Sequence, residues 1–302
     1  MNQQRKHYPR LRSWGSSGAL IIREAFNVTF YMRHPHQEVA SAVLHSLERY
    51  RRVVGNEVLS QYLHESGYWE ELDEAAWEAR TREMLRERTA IVDLIELASR
   101  ERRYQFEYRG CLIDAPVDDP KSVCAVSFWF PTEYLEEHGP AHMRKLALEL
   151  AAPLPFSSGH AGLAFNTDHD VLGMEGDPST WCNLHPGMDV LRLGRVALQL
   201  GTKVRSASWL TFLGPPVLGE LGGAPGLQAL LSSQDIRVQE LEGERAVITV
   251  GEWPEAGEEG RMPPSYLALA RVLEPWLFHQ KYLRNASYTE EELRRWERRF
   301  LE

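Results

Sequence analysis

The chain has 302 residues, 34 Lys+Arg against 43 Asp+Glu for a net charge of −9, 43% hydrophobic and 25% charged residues, 22 Gly and 17 Pro. These are ordinary globular proportions in a chain long enough to bury its own core, and they exclude collagen-like, coiled-coil and wholly disordered classes. The charge divides unevenly, with 17 basic and 16 acidic residues in 1–110 but 17 and 27 in 111–302, so binding of a polyanion is not the default. Cys111, Cys124 and Cys182 are odd in number and form no CxxC pair, which excludes a disulfide framework and leaves one disulfide open. No apolar signal region follows the basic N-terminus, because Arg23, Glu24 and Asn27 interrupt residues 19–31. No uncharged apolar run approaches the roughly 20 residues of a spanning helix. The expectation is a soluble, cytoplasmic chain.

Residues 1–18 read as a loose lead-in. Residues 19–32, ALIIREAFNVTFYM, are β-branched and aromatic with Phe26, Val28 and Phe30 alternating, which predicts a strand. After Pro35, Val39, Val43, Leu47 and Tyr50 recur at helical spacing over 36–52, and a short helical piece is expected over 57–65. Residues 69–103 form the longest helical candidate, with a stripe of Trp77, Met84, Ile91, Ile95 and Ala98 and an expected break within it. Residues 104–113 then read as a strand.

In VCAVSFWF, the two-residue period predicts Cys124, Val126, Phe128 and Phe130 on one face of a central strand and Trp129 on the other. Thr132 is placed to cap a helix, with Glu133 in its first turn, and helix continues over 142–152. A strand follows in PFSSGHAGLAF, then a loop-rich stretch over 166–195. Residues 204–213 read as strand, 218–231 as a Gly-interrupted helix, and 236–241 and 246–250 as strands about the Glu242-Gly243 turn. A helix over 265–278 is kinked or ended by Pro275, and Thr289 with Glu292 makes a capping box for a last helix. The fold class predicted is α+β, with mixed or antiparallel sheets flanked by helices and a recurring strand–helix–strand rhythm. The domain organisation expected is a lead-in at 1–18, one domain over 19–283 with sub-units at 19–115 and 120–283, and a capping helix at 284–302.

The sequence contains no GxGxxG after a strand, no GxxxxGK[ST], no HExxH, no GxSxG and no zinc-type cysteine spacing. The nearest approach to a metal or active site is His160 with Asp168, His169, Asp170 and His185, imidazoles and carboxylates of the kind that hold a divalent ion. Their spacing matches no defined site, and in a Gly-rich segment such residues ordinarily bond to backbone. Catalytic residues, metal and cofactor are therefore all expected to be none. Cys182 is the one thiol in a loop context. The arginine clusters of the N-terminal third are interleaved with Glu at i,i+3 and i,i+4 distances, as on a solvated helix face. Among nine tryptophans, Trp253 stands in an acidic loop with Glu252, Glu255, Glu258 and Glu259 and no basic residue over 252–259. An aromatic among carboxylates suits a surface for a basic protein partner.

Four stretches, VSFWFPTEYLEEHG (126–139), SGHAGLAFN (158–166), HPGMDV (185–190) and ASWLTFLGPPVLGELGG (207–223), resemble a bacterial family of type VI secretion immunity proteins. These act against toxins of the virus-type replication-repair nuclease class. The likeness runs from about residue 19 to residue 283. It implies a cytoplasmic protein that binds and neutralises a cognate toxin without catalysis of its own, and it assigns no catalytic residue. It also leaves open whether residues 69–103 are an elaboration that adjusts partner choice. The acidic balance after residue 110 agrees with a partner whose substrate groove must be basic. No direct nucleic-acid or membrane partner is expected. The competing readings are a metal-dependent hydrolase centred on His160, Asp168, Asp170 and His185, and a structural component of a contractile secretion apparatus.

Overall fold

The computed structural model describes residues 7–14, 18, 20–96, 101–113, 121–167, 184–279 and 290–301. The chain divides into two units that interleave in sequence, one of residues 27–159 and 192–203, the other of residues 1–26, 160–191 and 204–302. Both are α+β, with mainly antiparallel sheet flanked by helices.

The elements run β1 (Arg12–Trp14), β2 (Leu20–Met32), α1 (His36–Val54), β3 (Gln61–Leu63), β4 (Trp69–Glu71), α2 (Glu74–Arg86), β5 (Ala90–Ile95), β6 (Gln105–Gly110), β7 (Cys124–Pro131), α3 (Thr132–Ala151) and β8 (Ser158–Thr167). They continue as β9 (Asp189–Val190), α4 (Leu193–Ala197), β10 (Leu210–Leu213), α5 (Val217–Glu220), α6 (Gly223–Leu230), β11 (Ile236–Leu241), β12 (Arg245–Val250), α7 (Pro264–Leu273), a 3-10 turn (Glu274–Trp276) and α8 (Glu290–Glu297).

In the first unit the strand order is β2-β7-β6-β5-β3-β4, β2 giving its residues from Asn27 onward. β7 is interior, so both of its edges are paired, and all eight of its residues are buried. Phe128 packs on Tyr50 of α1 and Phe106 of β6. On the opposite face Trp129 donates its indole N–H to Glu107 at 2.8 Å. That face also carries a closed polar chain, in which Asn27 donates to Ser127 at 2.7 Å and Thr29 donates to Asn27 at 2.7 Å. These groups are buried at little cost because each has a partner. Helix α1 buries Val39, Val43, Leu47 and Tyr50 at the predicted period. It meets α3 where Ser46 donates to the Leu150 carbonyl and Arg49 pairs with Glu149, and the Arg51 guanidinium lies 3.7 Å over Trp77 of α2.

The second unit orders its strands β11-β12-β10-β8-β2, with β1 antiparallel on β2 and β9 parallel on β8. The β11–β12 hairpin turns at Glu242–Glu244, pairing Leu241 with Arg245, and Trp209 packs edge-on against Phe26. Helix α7 ends at Leu273, one residue before the Glu274–Trp276 turn that carries Pro275.

Several expected elements take another form. Residues 57–65 hold a turn and β3 rather than a helix, and 69–103 divide into β4, α2 and β5. The helical stripe joins residues of unlike structure, for Met84 is buried on α2 whereas Ile91 is 73% exposed on β5. Ala98 lies outside the described residues. The strand expected over 204–213 is confined to Leu210–Leu213. At the start of α3, Pro131 and not Thr132 holds the capping position, with no side-chain cap, and that helix is kinked at Gly139-Pro140, where proline removes a backbone donor. Among the described residues no helix is long and apolar enough to cross a membrane.

Candidate partner-binding surface

The acidic loop that the sequence singles out connects β12 to α7 and is fixed from several sides. Ala256 N–H donates to His7 O at 3.0 Å, Gly187 N–H to Ala256 O at 2.8 Å and Gly260 N–H to Leu184 O at 3.1 Å. The Glu255 amide donates to the Tyr266 hydroxyl at 3.4 Å, and His185 Nδ1 lies 3.0 Å from the Gly257 carbonyl. The HPGMDV stretch is thus the floor of the loop. A side chain at Gly187 would force this loop to shift, since a Cβ would stand 2.0 Å from the Glu255 carbonyl oxygen. Gly257, at φ +80°, supplies the left-handed turn that an L side chain resists.

On this floor the four glutamates differ. Glu252, Glu258 and Glu259 are exposed, whereas Glu255 is half-buried with its carboxylate 2.8 Å from His7 Nδ1. Glu259 pairs with the exposed Arg261 at 2.9 Å. Trp253 is half-buried and lies parallel to the His7 ring, centroids 5.0 Å apart and planes within 4°. The loop therefore presents three carboxylates on a fixed backbone, with its tryptophan set against His7.

Beneath it lies a buried ionic cluster. Asp189 of β9 meets Arg205 at 3.2 Å and Arg299 at 3.7 Å, all three side chains being at most 10% exposed. Arg299 also donates to the Pro186 carbonyl at 2.6 Å, and Arg205 to the Val190 carbonyl at 3.3 Å. Burial pushes the Asp189 carboxyl up, but the two guanidinium groups outweigh it and hold the acid below its ordinary value. His160 of β8 shares this pocket. Burial pushes its imidazole down to about 4, against Asp189 and with the help of Arg205 and Arg299. It is neutral at pH 7, and the cluster holds together HPGMDV, the segment after residue 204 and the C-terminal residues beyond α8.

Of the residues considered for a metal, the two that are described, His160 and His185, have different partners. His160 belongs to this ionic cluster and His185 to the loop, while Asp168, His169 and Asp170 lie outside the described residues. Among the described residues no group of three or more His, Cys, Asp or Glu is placed to hold an ion. Cys182 also lies outside them. Cys124 is buried and Cys111 half-buried as thiols, with sulfurs 4.0 Å apart.

One surface is masked in the sequence by the helical spacing expected over 69–103. Residues 65–79 hold Glu65, Glu70, Glu71, Asp73, Glu74 and Glu78 with no Lys or Arg. They carry Tyr68, 74% exposed, and Trp69, 36% exposed, at the β3–β4 turn and on β4. The signal was present in HESGY, a short Gly-bearing connection between two runs able to form strands; Gly67 there adopts φ +84°.

A family model described as TsiV, type VI immunity for VRR-NUC, matches residues 42–300. No curated protein matches the chain. Among solved structures, the Pseudomonas aeruginosa T6SS protein PA0821 has the same fold, with a TM-score of 0.76, 18% identity, and coverage of 98% of this chain and 88% of that one.

Proposed function

The chain belongs to the TsiV family, type VI immunity for VRR-NUC, and from that premise we propose that it binds and neutralises a cognate type VI secretion toxin of the nuclease class. It does so in the cytoplasm, by occupying the toxin and without a reaction of its own. The single observation that carries this reading is the family match over residues 42–300. The surface chemistry supports it. A nuclease presents cationic side chains to a phosphate backbone, and a protein that covers them must replace that charge. Glu252, Glu258 and Glu259 are exposed on a loop whose backbone is held by five hydrogen bonds to residues 7, 184–187 and 266, so their charge is displayed without first ordering a chain. Such rim carboxylates chiefly speed the encounter, and that benefit is screened by salt.

The test is to search the genes flanking this one for a VRR-NUC protein and to co-express that protein with this chain. The expected outcome is restored growth, a purified complex of the two chains, and loss of DNA cleavage in proportion to the immunity protein added. Persistent toxicity with no complex would refute the assignment. A complex that leaves DNA cleavage intact would remove occlusion of the nuclease from the account.

A further inference from the structure

We propose that β4 is a docking strand, onto which the toxin adds an extended strand of its own that carries Lys or Arg. The inference rests on the immunity reading and gives it a location. β4 is the last strand in the order β2-β7-β6-β5-β3-β4, hydrogen-bonded only to β3 among the described residues. Leu72 N–H donates to Ser60 O at 2.8 Å and His64 N–H to Tyr68 O at 2.8 Å. Antiparallel pairing alternates, so residues 68, 70 and 72 turn their backbone groups toward β3, and Trp69 and Glu71 turn theirs outward. The edge thus offers two outward-facing residues to a new strand, the arrangement used in strand-addition recognition.

The side chains decide what can pair there. Trp69, Glu70 and Glu71 are all exposed, and Tyr68 stands beside them at the turn. Glu70 is held in place by the Tyr62 hydroxyl, which donates to it at 2.6 Å. A second copy of this chain pairing antiparallel about Glu70 would set glutamate against glutamate, and like charges directly opposite are unfavourable. The same carboxylates guard a lone edge against aggregation. A strand bearing Lys or Arg reverses the sign of that interaction. With six carboxylates and no base over residues 65–79, the complement is a basic strand, and Tyr68 and Trp69 supply aromatic anchors of the kind that dominate interfaces.

Glu71→Pro separates docking from folding, because residue 71 directs its N–H away from β3 and proline is tolerated at such edge positions. Binding to the VRR-NUC protein used in the co-expression test is measured for the full-length wild type, Glu71→Pro and Trp69→Ala, each checked by its urea unfolding curve. Glu71→Pro is expected to weaken the complex by about tenfold and Trp69→Ala by about thirtyfold. In the wild-type complex the amides of Trp69 and Glu71 should gain protection from hydrogen exchange, a result that holds even if a variant fails to fold. Wild-type affinity in both folded variants, or unprotected amides in the complex, overturns the docking strand and leaves the immunity reading standing. If the wild type itself forms no complex, the immunity reading fails and the docking strand with it. A dimer of this chain alone that Glu71→Pro dissolves would assign the edge to self-association and overturn the proposal.

Discussion

Acid should loosen this protein through His160. The imidazole is 4% exposed and faces Asp189, Arg205 and Arg299, and its pKa falls from an ordinary 6.5 to about 4. Between those two pH values the unfolded chain takes up a proton at this position and the native chain does not. Stability must therefore fall as pH drops through that window, and level off below about 4 once the native imidazole also charges. A displacement of about 2.5 pH units, at about 1.4 kcal/mol each, gives a total loss of about 3.5 kcal/mol, of which about 3 kcal/mol is reached by pH 4. Asp189 works in the other window, because its lowered pKa adds stability that is lost only below the ordinary carboxylate value. His36 and His142 are also lowered by burial and act with the same sign as His160, so the wild-type curve alone does not isolate one residue. The assay is urea unfolding followed by tryptophan fluorescence from pH 7 to pH 4, comparing wild type with His160→Gln. The wild type should lose about 3 kcal/mol more than the variant over this range. Parallel curves would show that His160 titrates normally in the native state and would refute its placement in a desolvated cationic pocket.

Further outcomes follow from the same geometry. Phe128→Ala, at a fully buried position between Tyr50 and Phe106, should cost about 3–5 kcal/mol in a denaturant titration. Arg299→Ala leaves the buried Asp189 with Arg205 and the Val190 amide but one guanidinium fewer, and removes a bond to the Pro186 carbonyl; a loss of about 3–5 kcal/mol is expected by the same measurement. Gly187→Ala must move the Glu255 carbonyl, so thermal unfolding should show a loss of about 1–3 kcal/mol. Reversing the exposed Glu252, Glu258 and Glu259 to Lys should slow association with the toxin strongly at low salt and little at high salt, as read by stopped-flow mixing.

Local pattern fixed much of the architecture. The alternation in VCAVSFWF, the helical period from Val39 to Tyr50, and the Glu242-Gly243 turn each reflect contacts within a few residues, and the corresponding strand, helix and hairpin formed. Where neighbours far along the chain decide, the pattern misled. Ile91 and Ile95 keep a helical spacing from Met84, yet pairing of β5 with β6 draws them into a strand. Hydrogen bonds between strands outweigh a periodicity that an isolated segment would satisfy equally well as helix. Both chemically distinctive sites depend on such long-range neighbours. The acidic loop was visible as composition, but that Trp253 stacks on His7 and Glu255 pairs with it follows from joining residues 246 and 248 positions apart. His160 and HPGMDV were visible as strings, whereas the cluster of His160, Asp189, Arg205 and Arg299 exists only once four distant segments meet. Burial is a property of the assembled fold, and it is burial that turns His160 from a common surface histidine into a neutral group among charges.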